Sequence, residues 1–302
     1  MAIESHSLRV FSAGPNGGNP LRVILDAQGM TDNDMQVLAK SHGHECCFIL
    51  PAPLDSRYDY EFRFWVPDHE MEMCGHATVG AVWLLSKLGM LAKDNLRIST
   101  KSGIVEATVS VTSEDEDGCD GEEEGIWVEV SQPPAKMLEN VQRQDHIDEI
   151  LSVLGISKDD LVPSLSIQNA ATSRVKTLIP IKSIAALNGL SPQFDHLPSL
   201  CDVIGSTGLY PYAVSDLANQ AFEARQFPRG AGYEEDAATG IAASALAFGL
   251  LENGLVVDFE ESVEVEQGFA MGCPSKISVR FRETGGGDVV GCWIGGSAVW
   301  DF

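Results

Sequence analysis

Two short stretches of the 302-residue chain place polar residues just ahead of long apolar runs: Cys74-Gly75-His76-Ala77-Thr78 and Asp236-Ala237-Ala238-Thr239-Gly240. If each stretch opens a helix, its first backbone N–H groups lack intrahelical partners and carry roughly half a positive charge, a setting that attracts carboxylates. Gly75 and Gly240 would let a ligand come close to the backbone. Thr239 or Asp236 acting only as a helix cap accounts for the same residues equally well. A third stretch, SHGHECCFIL at 41–50, raises the question of a metal. In an extended chain His42, His44 and Cys46 face one way and Glu45 and Cys47 the other, and no second cluster with C-x-x-C or H-x-x-x-H spacing completes a tetrahedral site. Glu45 points to different chemistry: a carboxyl partly buried at the entry of an apolar strand can take and return a proton near neutral pH.

The elements that must position these residues fall into two similar series. Strands are expected at 8–13, 21–27, 47–52 and 60–66, rich in branched and aromatic residues and bounded by glycine, proline or aspartate. A helix is predicted at 31–43, with Thr31 as N-cap, acids in its first turn and glycine at its end. The run 75–89 is apolar on nearly all sides, as a helix at the centre of a domain would be. Strands at 103–111 and 125–130 follow, then Pro133-Pro134 as a linker. The scheme recurs with strands at 175–181, 209–215 and 221–227, an apolar helix at 238–251, and strands through 275–281 and 291–300. This internal duplication predicts an α+β protein of two similar domains, 1–132 plus 287–302 and 135–286, each wrapping sheet around a central buried helix, with a cleft between them.

Composition excludes several functions. The formal charge of −24 repels a phosphate backbone and no basic stripe offsets it, so nucleic acid is not an expected partner. The acidic run at 113–125 reads as a solvated loop between two strands. No apolar tract reaches the ~18 residues that would suggest a membrane span. With no secretory leader pattern, and seven irregularly spaced cysteines that do not form a disulfide framework, the expected location is the cytoplasm. There is no G-x-S-x-G elbow, Walker loop or strand-linked G-x-G-x-x-G, and GPNGGNP at 14–20 reads as a turn.

Five stretches in order, GGNPLRVILDAQGMTDNDMQVLAKSHGHECCFIL, EMCGHATVGAVWLL, YEEDAATGIAASALAFGLL, EQGFAMGCPSKISV and GCWIGGSAVW, resemble the PhzF-like family of phenazine biosynthesis, which has the diaminopimelate-epimerase fold. The resemblance covers nearly the whole chain. It implies a cofactor-independent isomerase in which no metal takes part, acting on a small carboxylated, cyclic amino acid-like substrate, with secondary metabolism as a setting and a homodimer as an assembly. The family's catalytic carboxylate falls on Glu45, its glycine-histidine pair on Gly75 and His76, and its D-P-A-T-G aspartate on Asp236. Glu45 would shuttle the proton while His76 and Asp236 set protonation states. Asn19, Cys74, Gly75, Thr239 and Gly240 would hold the substrate.

His44, Ala237 and Ile241 depart from the family's usual serine, proline and serine, which implies a changed substrate. Cys74 resembles by position one thiol of the two-thiol racemases of this fold, but its counterpart is Thr239, which is no base at neutral pH. The Cys74–Thr239 pairing resembles hydroxyproline dehydratases instead. A Cys74-dependent dehydratase or epimerase is therefore the second enzyme reading, and a binding or scaffold protein the third.

Overall fold

In the computed structural model, which describes residues 4–112 and 125–301, the chain begins with strands β1 (Ser5–Val10) and β2 (Asn19–Ile24), helix α1 (Asp32–His42), and strands β3 (Cys46–Pro51), β4 (Tyr60–Trp65) and β5 (Glu70–Met71). Helix α2 (Gly75–Lys87) follows, then β6 (Asn95–Thr100), β7 (Gly103–Thr112) and β8 (Gly125–Gln132). Next come β9 (Lys136–Asn140), α3 (Gln144–Leu154), β10 (Gln168–Ala171), β11 (Val175–Pro180), α4 (Ile184–Asn188), α5 (Leu197–Ile204), β12 (Gly208–Asp216), β13 (Ala221–Ala224) and β14 (Phe227–Pro228). The chain ends with α6 (Gly240–Glu252), β15 (Val263–Gln267), β16 (Ser275–Glu283), β17 (Val289–Gly296) and β18 (Ala298–Trp300). The acidic run, except Gly125, lies outside the described residues, as does Cys119. Two compact units result: Met1–Ser12, Gly18–Ser131 and Gly295–Phe302 form one, and Ala13–Gly17 with Gln132–Ile294 the other.

The two units are built in the same order and sense. In the first, β1 and β2 pair antiparallel, β2 and β3 parallel, β3 and β4 antiparallel, β4 and β6 parallel, and β6 and β7 antiparallel. In the second, β10 and β11 pair antiparallel, β11 and β12 parallel, β12 and β13 antiparallel, β13 and β15 parallel, and β15 and β16 antiparallel. A parallel pair needs a crossover, because a tight turn cannot bring the chain back in the same direction. In each unit the first crossover carries outer helices and the second carries the central one: α1 then α2, and α4 with α5 then α6.

Burial explains why the central helices sit where they do. Every residue from Gly75 to Leu85 of α2 is buried, and so are Gly240 and Ala242–Leu250 of α6. A helix with no polar face must be surrounded. Helix α2 packs on β1, β2, β3, β7 and β18, and α6 on β10, β11 and β16. Outer helix α1 is amphipathic, burying Met35 and Ala39 against Ile24, Phe48 and Trp65. It carries a full capping box of Thr31 and Asp34, and it ends on Gly43 at φ 75°.

Besides missing β5, β6, β9, β10 and α4, the sequence reading differs from the structure in three places. The expected strand 221–227 divides into β13 and β14, because Gln226 leaves the ladder to pair with Asp236. The expected strand 291–300 divides at Ser297, whose Oγ donates to the Ile126 carbonyl at 2.8 Å. Helices α3 and α5 stand where no helix was expected; their apolar faces form one core with Ile179, Leu209 and Phe227.

Candidate functional site

In the first unit, Asn19 opens β2 and Glu45 directly precedes β3. The two strands are parallel, so both residues lie at the same end of the pair. Both are buried, Glu45 to 7% exposure. The Glu45 carbonyl accepts from the Arg22 backbone N–H at 3.1 Å and contacts His44 Nδ1 at 3.1 Å, which fixes the backbone that carries the carboxylate. Cys74 is the N-cap residue of α2 and Gly75 its first residue. No side chain caps this helix and its first turn holds no acid. Cys74 Sγ lies 3.3 Å from His76 Nδ1, and the Thr78 hydroxyl donates to the Cys74 carbonyl at 2.8 Å. Cys47 is close enough to Cys74 to feel its charge, although burial is what mainly pushes the Cys47 thiol far up and makes it inert.

The approach to α2 is clamped by an ion-pair cluster. Arg63 on β4 donates to both oxygens of Glu70 on β5, at 2.6 and 2.8 Å, and Lys101 also pairs with Glu70. Burial disfavours the Glu70 anion, but the bonds from Arg63 and Lys101 outweigh it and hold the carboxyl below its usual range.

The second unit has a corresponding helix start with different chemistry. Thr239 is the N-cap residue of α6, yet its side chain caps nothing; its hydroxyl donates to Asp236 Oδ2 at 2.5 Å. Gln267, at the end of β15, donates to the Asp236 carbonyl at 2.6 Å and to Thr239 Oγ1 at 3.3 Å. Its Oε1 in turn accepts from the Tyr210 hydroxyl at 2.9 Å. Just upstream, Arg225 grips Glu235 with bonds of 2.8 and 2.7 Å, donates to the Leu187 and Leu190 carbonyls, and lies 4.9 Å over the Phe227 ring. Gly240 is glycine for a packing reason, since a Cβ there would meet Ile294 Cδ1 at 2.8 Å.

Of the residues singled out from sequence, Asn19, Glu45, Cys74, Gly75 and His76 belong to the first unit, and Asp236, Thr239 and Gly240 to the second. Contacts join Cys74 to His76 and Asp236 to Thr239. Capping does not account for Thr239, whose hydroxyl is turned to Asp236 instead. Gln267, Tyr210 and the two arginine clamps were missed. Gln267 carried a signal, as the polar end of the alternating strand VEVEQ before a glycine. Among the described residues no three His, Cys, Asp or Glu side chains gather as a metal ion would require, and the His42 and His44 rings stand 6.2 Å apart. Among the same residues the cysteines are unbridged, and no helix is long and apolar enough to cross a membrane.

Comparison with known proteins covers the whole chain. The family model described as phenazine biosynthesis-like protein matches residues 8–301. An uncharacterized isomerase of Clostridium acetobutylicum is 31% identical over 271 residues, covering 88% of this chain and 85% of that protein. The crystal structure of a Bacillus anthracis phenazine biosynthesis protein of the PhzF family superposes with a TM-score of 0.86 at 25% identity, covering 99% of this chain and 97% of that one. A probable proline racemase from Agrobacterium radiobacter K84 superposes with a TM-score of 0.62 at 15% identity, covering 99% and 91%. The latter is a likeness of fold alone, and the fold is the diaminopimelate-epimerase one.

Proposed function

The chain belongs to the phenazine biosynthesis-like protein family, and from that premise we propose that it is a cofactor-independent isomerase that moves a proton on a small carboxylated, amino acid-like metabolite, with Glu45 as the single acid/base. The observation that carries this reading is a carboxylate buried to 7% exposure, held by its own backbone at the strand end that Asn19 shares. Relatives carrying the name isomerase support the reaction class.

The chemistry balances without an oxidant or a metal. Ionised Glu45 takes a proton from a carbon of the substrate, and the electron pair left behind spreads into the substrate's conjugated carboxyl group. Protonated Glu45 then returns the proton to a second carbon. Negative charge grows on the substrate carboxylate during transfer, so preorganised donors aimed at it contribute most of the stabilisation. The start of α2 suits that task, since its N-cap residue makes no side-chain cap and its first turn holds no acid to oppose an incoming anion. His76 and Asp236 serve as the groups that set protonation and grip the substrate.

Proton NMR in D₂O with a panel of small amino and hydroxy acids, dihydroaromatic ones included, tests this directly. Protein-dependent C–H exchange is expected, and Glu45→Gln should abolish it while the variant keeps its circular dichroism spectrum. An equally active Glu45→Gln enzyme sinks the proposal.

One contact favours a second reading. Cys74 Sγ at 3.3 Å from His76 Nδ1 has a base beside it, as a nucleophilic or proton-transferring thiol requires. A Cys74-dependent dehydratase or epimerase would lose activity with Cys74→Ser and with thiol alkylation; insensitivity to both removes it.

A further inference from the structure

Lys176 lies within β11, an inner strand with β10 on one side and β12 on the other, and it is 5% exposed. Lysine is almost never buried unless it is paired. Among the described residues, no carboxylate comes within ion-pair distance of its ammonium. The charge that acts on it most is Asp236. The sheet register shows how the two are brought together. Thr177 lies opposite Leu209 in the parallel β11–β12 pair, so Lys176 runs beside Gly208. Gly208 in turn lies opposite Pro228. The Gln226 side-chain amide fills the space that a Cβ on Gly208 would need. Backbone pairing then joins Gln226 to Asp236, whose N–H donates to the Gln226 carbonyl at 3.1 Å.

Gln226 strengthens the case because it is 1% exposed and neither atom of its amide has a hydrogen-bond partner. A buried amide without partners and a buried ammonium without an ion pair each destabilise a fold. Both stand around one glycine corner, next to Asp236, in a chain that could have had leucine and methionine there. Cost without structural return is what a functional site shows.

We propose that Lys176 is a positioning residue for Asp236: its buried ammonium keeps the Asp236 carboxylate ionised, so that Asp236 accepts the Thr239 hydroxyl and presents a fixed negative charge to the ammonium group of an amino acid substrate. This rests on the reading of Asp236 as a site residue, and it narrows the substrate class to amino acids over simple carboxylic acids. Burial pulls the Lys176 ammonium down to about 8, with Asp236 opposing that pull, so the pair changes charge within an accessible pH range. The other charges acting on Lys176 are Arg174 and Cys201. Burial pushes the α5 thiol Cys201 up to about 11 and raises the β12 hydroxyl of Tyr210 far above its usual range. On α6 only the last residue, Glu252, is ionisable.

The test follows the Asp236 carboxyl by carbon NMR in full-length protein labelled at the aspartate carboxyls, with Asp236→Asn for assignment. No substrate is needed, so failure here is distinct from failure of proton transfer at Glu45. In the native protein the Asp236 signal should show its own titration and a second displacement near pH 8 as Lys176 loses its proton. Lys176→Met should remove the second displacement and move the first upward by about one pH unit. Lys176→Arg should keep the first in place and remove the second. An unchanged Asp236 curve in folded Lys176→Met overturns the proposal. If that variant does not fold, a displacement near pH 8 that persists in Lys176→Arg overturns it equally.

Discussion

The starts of α2 and α6 occupy equivalent places in two units of the same strand order, and they have opposite chemical characters. At α2 the polar groups are of the kinds that transfer protons in acid–base chemistry: a thiol, an imidazole, and the Glu45 carboxyl at the nearby strand end. At α6 they form a hydrogen-bonded set, from Tyr210 through Gln267 to Thr239 and Asp236, that holds a carboxylate still. Outer helix α1 provides the contrast within one molecule, since it has both a capping box and first-turn acids. In the proposed function the start of α2 is the reactive one and the start of α6 the grip.

The largest effect should separate those two roles. Glu45→Gln is expected to lower turnover by about 10³-fold or more, with little change in KM, as removal of a proton-transferring group does. Asp236→Asn should act mainly on KM, by about 10- to 100-fold. Steady-state kinetics on whichever substrate shows C–H exchange measures both. If Asp236→Asn reduces kcat as strongly as Glu45→Gln, the second start is reactive too and the division fails.

The clamps should differ in the same direction. Arg225 and Glu235 have side chains only 8% and 11% exposed, so Arg225→Met leaves a buried carboxylate without its partner at a cost of about 3–5 kcal/mol. Arg63 is 19% exposed and Glu70 keeps Lys101, so Arg63→Met should cost about 1–2 kcal/mol. Urea unfolding of the two variants compares them. A larger loss at Arg63 would mean that the approach to α2, and not the approach to α6, is the more tightly built.

Removal of Lys176 should strengthen the protein. The lysine's folded-state pKa of about 8 lies below the unfolded value, so between about pH 8 and 10.4 the unfolded chain binds more protons and stability rises with pH. Below pH 8 the penalty is present in full, on the order of 3 kcal/mol at most. Lys176→Met should therefore raise the thermal midpoint at pH 7, and the gain should shrink toward pH 10. A gain that does not depend on pH would show that better packing, and not a removed charge, stabilises the variant.

Much of this architecture is visible in the sequence because its strongest signals are local. Thr31, Asp34 and Gly43 mark the ends of α1 by side-chain capping and a left-handed residue, and α2 and α6 announce burial by the absence of a polar face. Helices α3 and α5 end on Gly155 and Gly205, both left-handed, but they follow polar or proline-containing stretches that read as loops, and their apolar faces gain meaning only against β11 and β12. The site divides the same way. Glu45, His76 and Asp236 stand in recognisable stretches, whereas Lys176 sits in VKTLIP, where an isolated lysine looks like the exposed face of an edge strand. That β11 is an inner strand is revealed only by the register of β10, β11 and β12.

The smallest difference expected between the units concerns how closely strands approach the two central helices. A Cβ on Gly80 of α2 would lie 2.5 Å from Leu21 Cδ2 and 2.6 Å from Val10 Cγ2, two fully buried residues on paired strands. A Cβ on Gly249 of α6 would meet Leu178 Cδ1 at 2.6 Å and Met137 Cε at 3.5 Å. Alanine favours a helix over glycine by about 1 kcal/mol, while overpacking costs about 1–3 kcal/mol. At Gly80 the valine methyl sits on a stiff side chain and has no open direction to move, so Gly80→Ala should be destabilising by about 1–2 kcal/mol. At Gly249 one leucine tip must shift and the neighbouring methionine can yield, so the two terms should nearly cancel for Gly249→Ala. Chemical denaturation of both alanine variants decides the matter: the reverse order would mean that α6, not α2, is the helix held tighter by its strands, and that the reactive unit is the looser one.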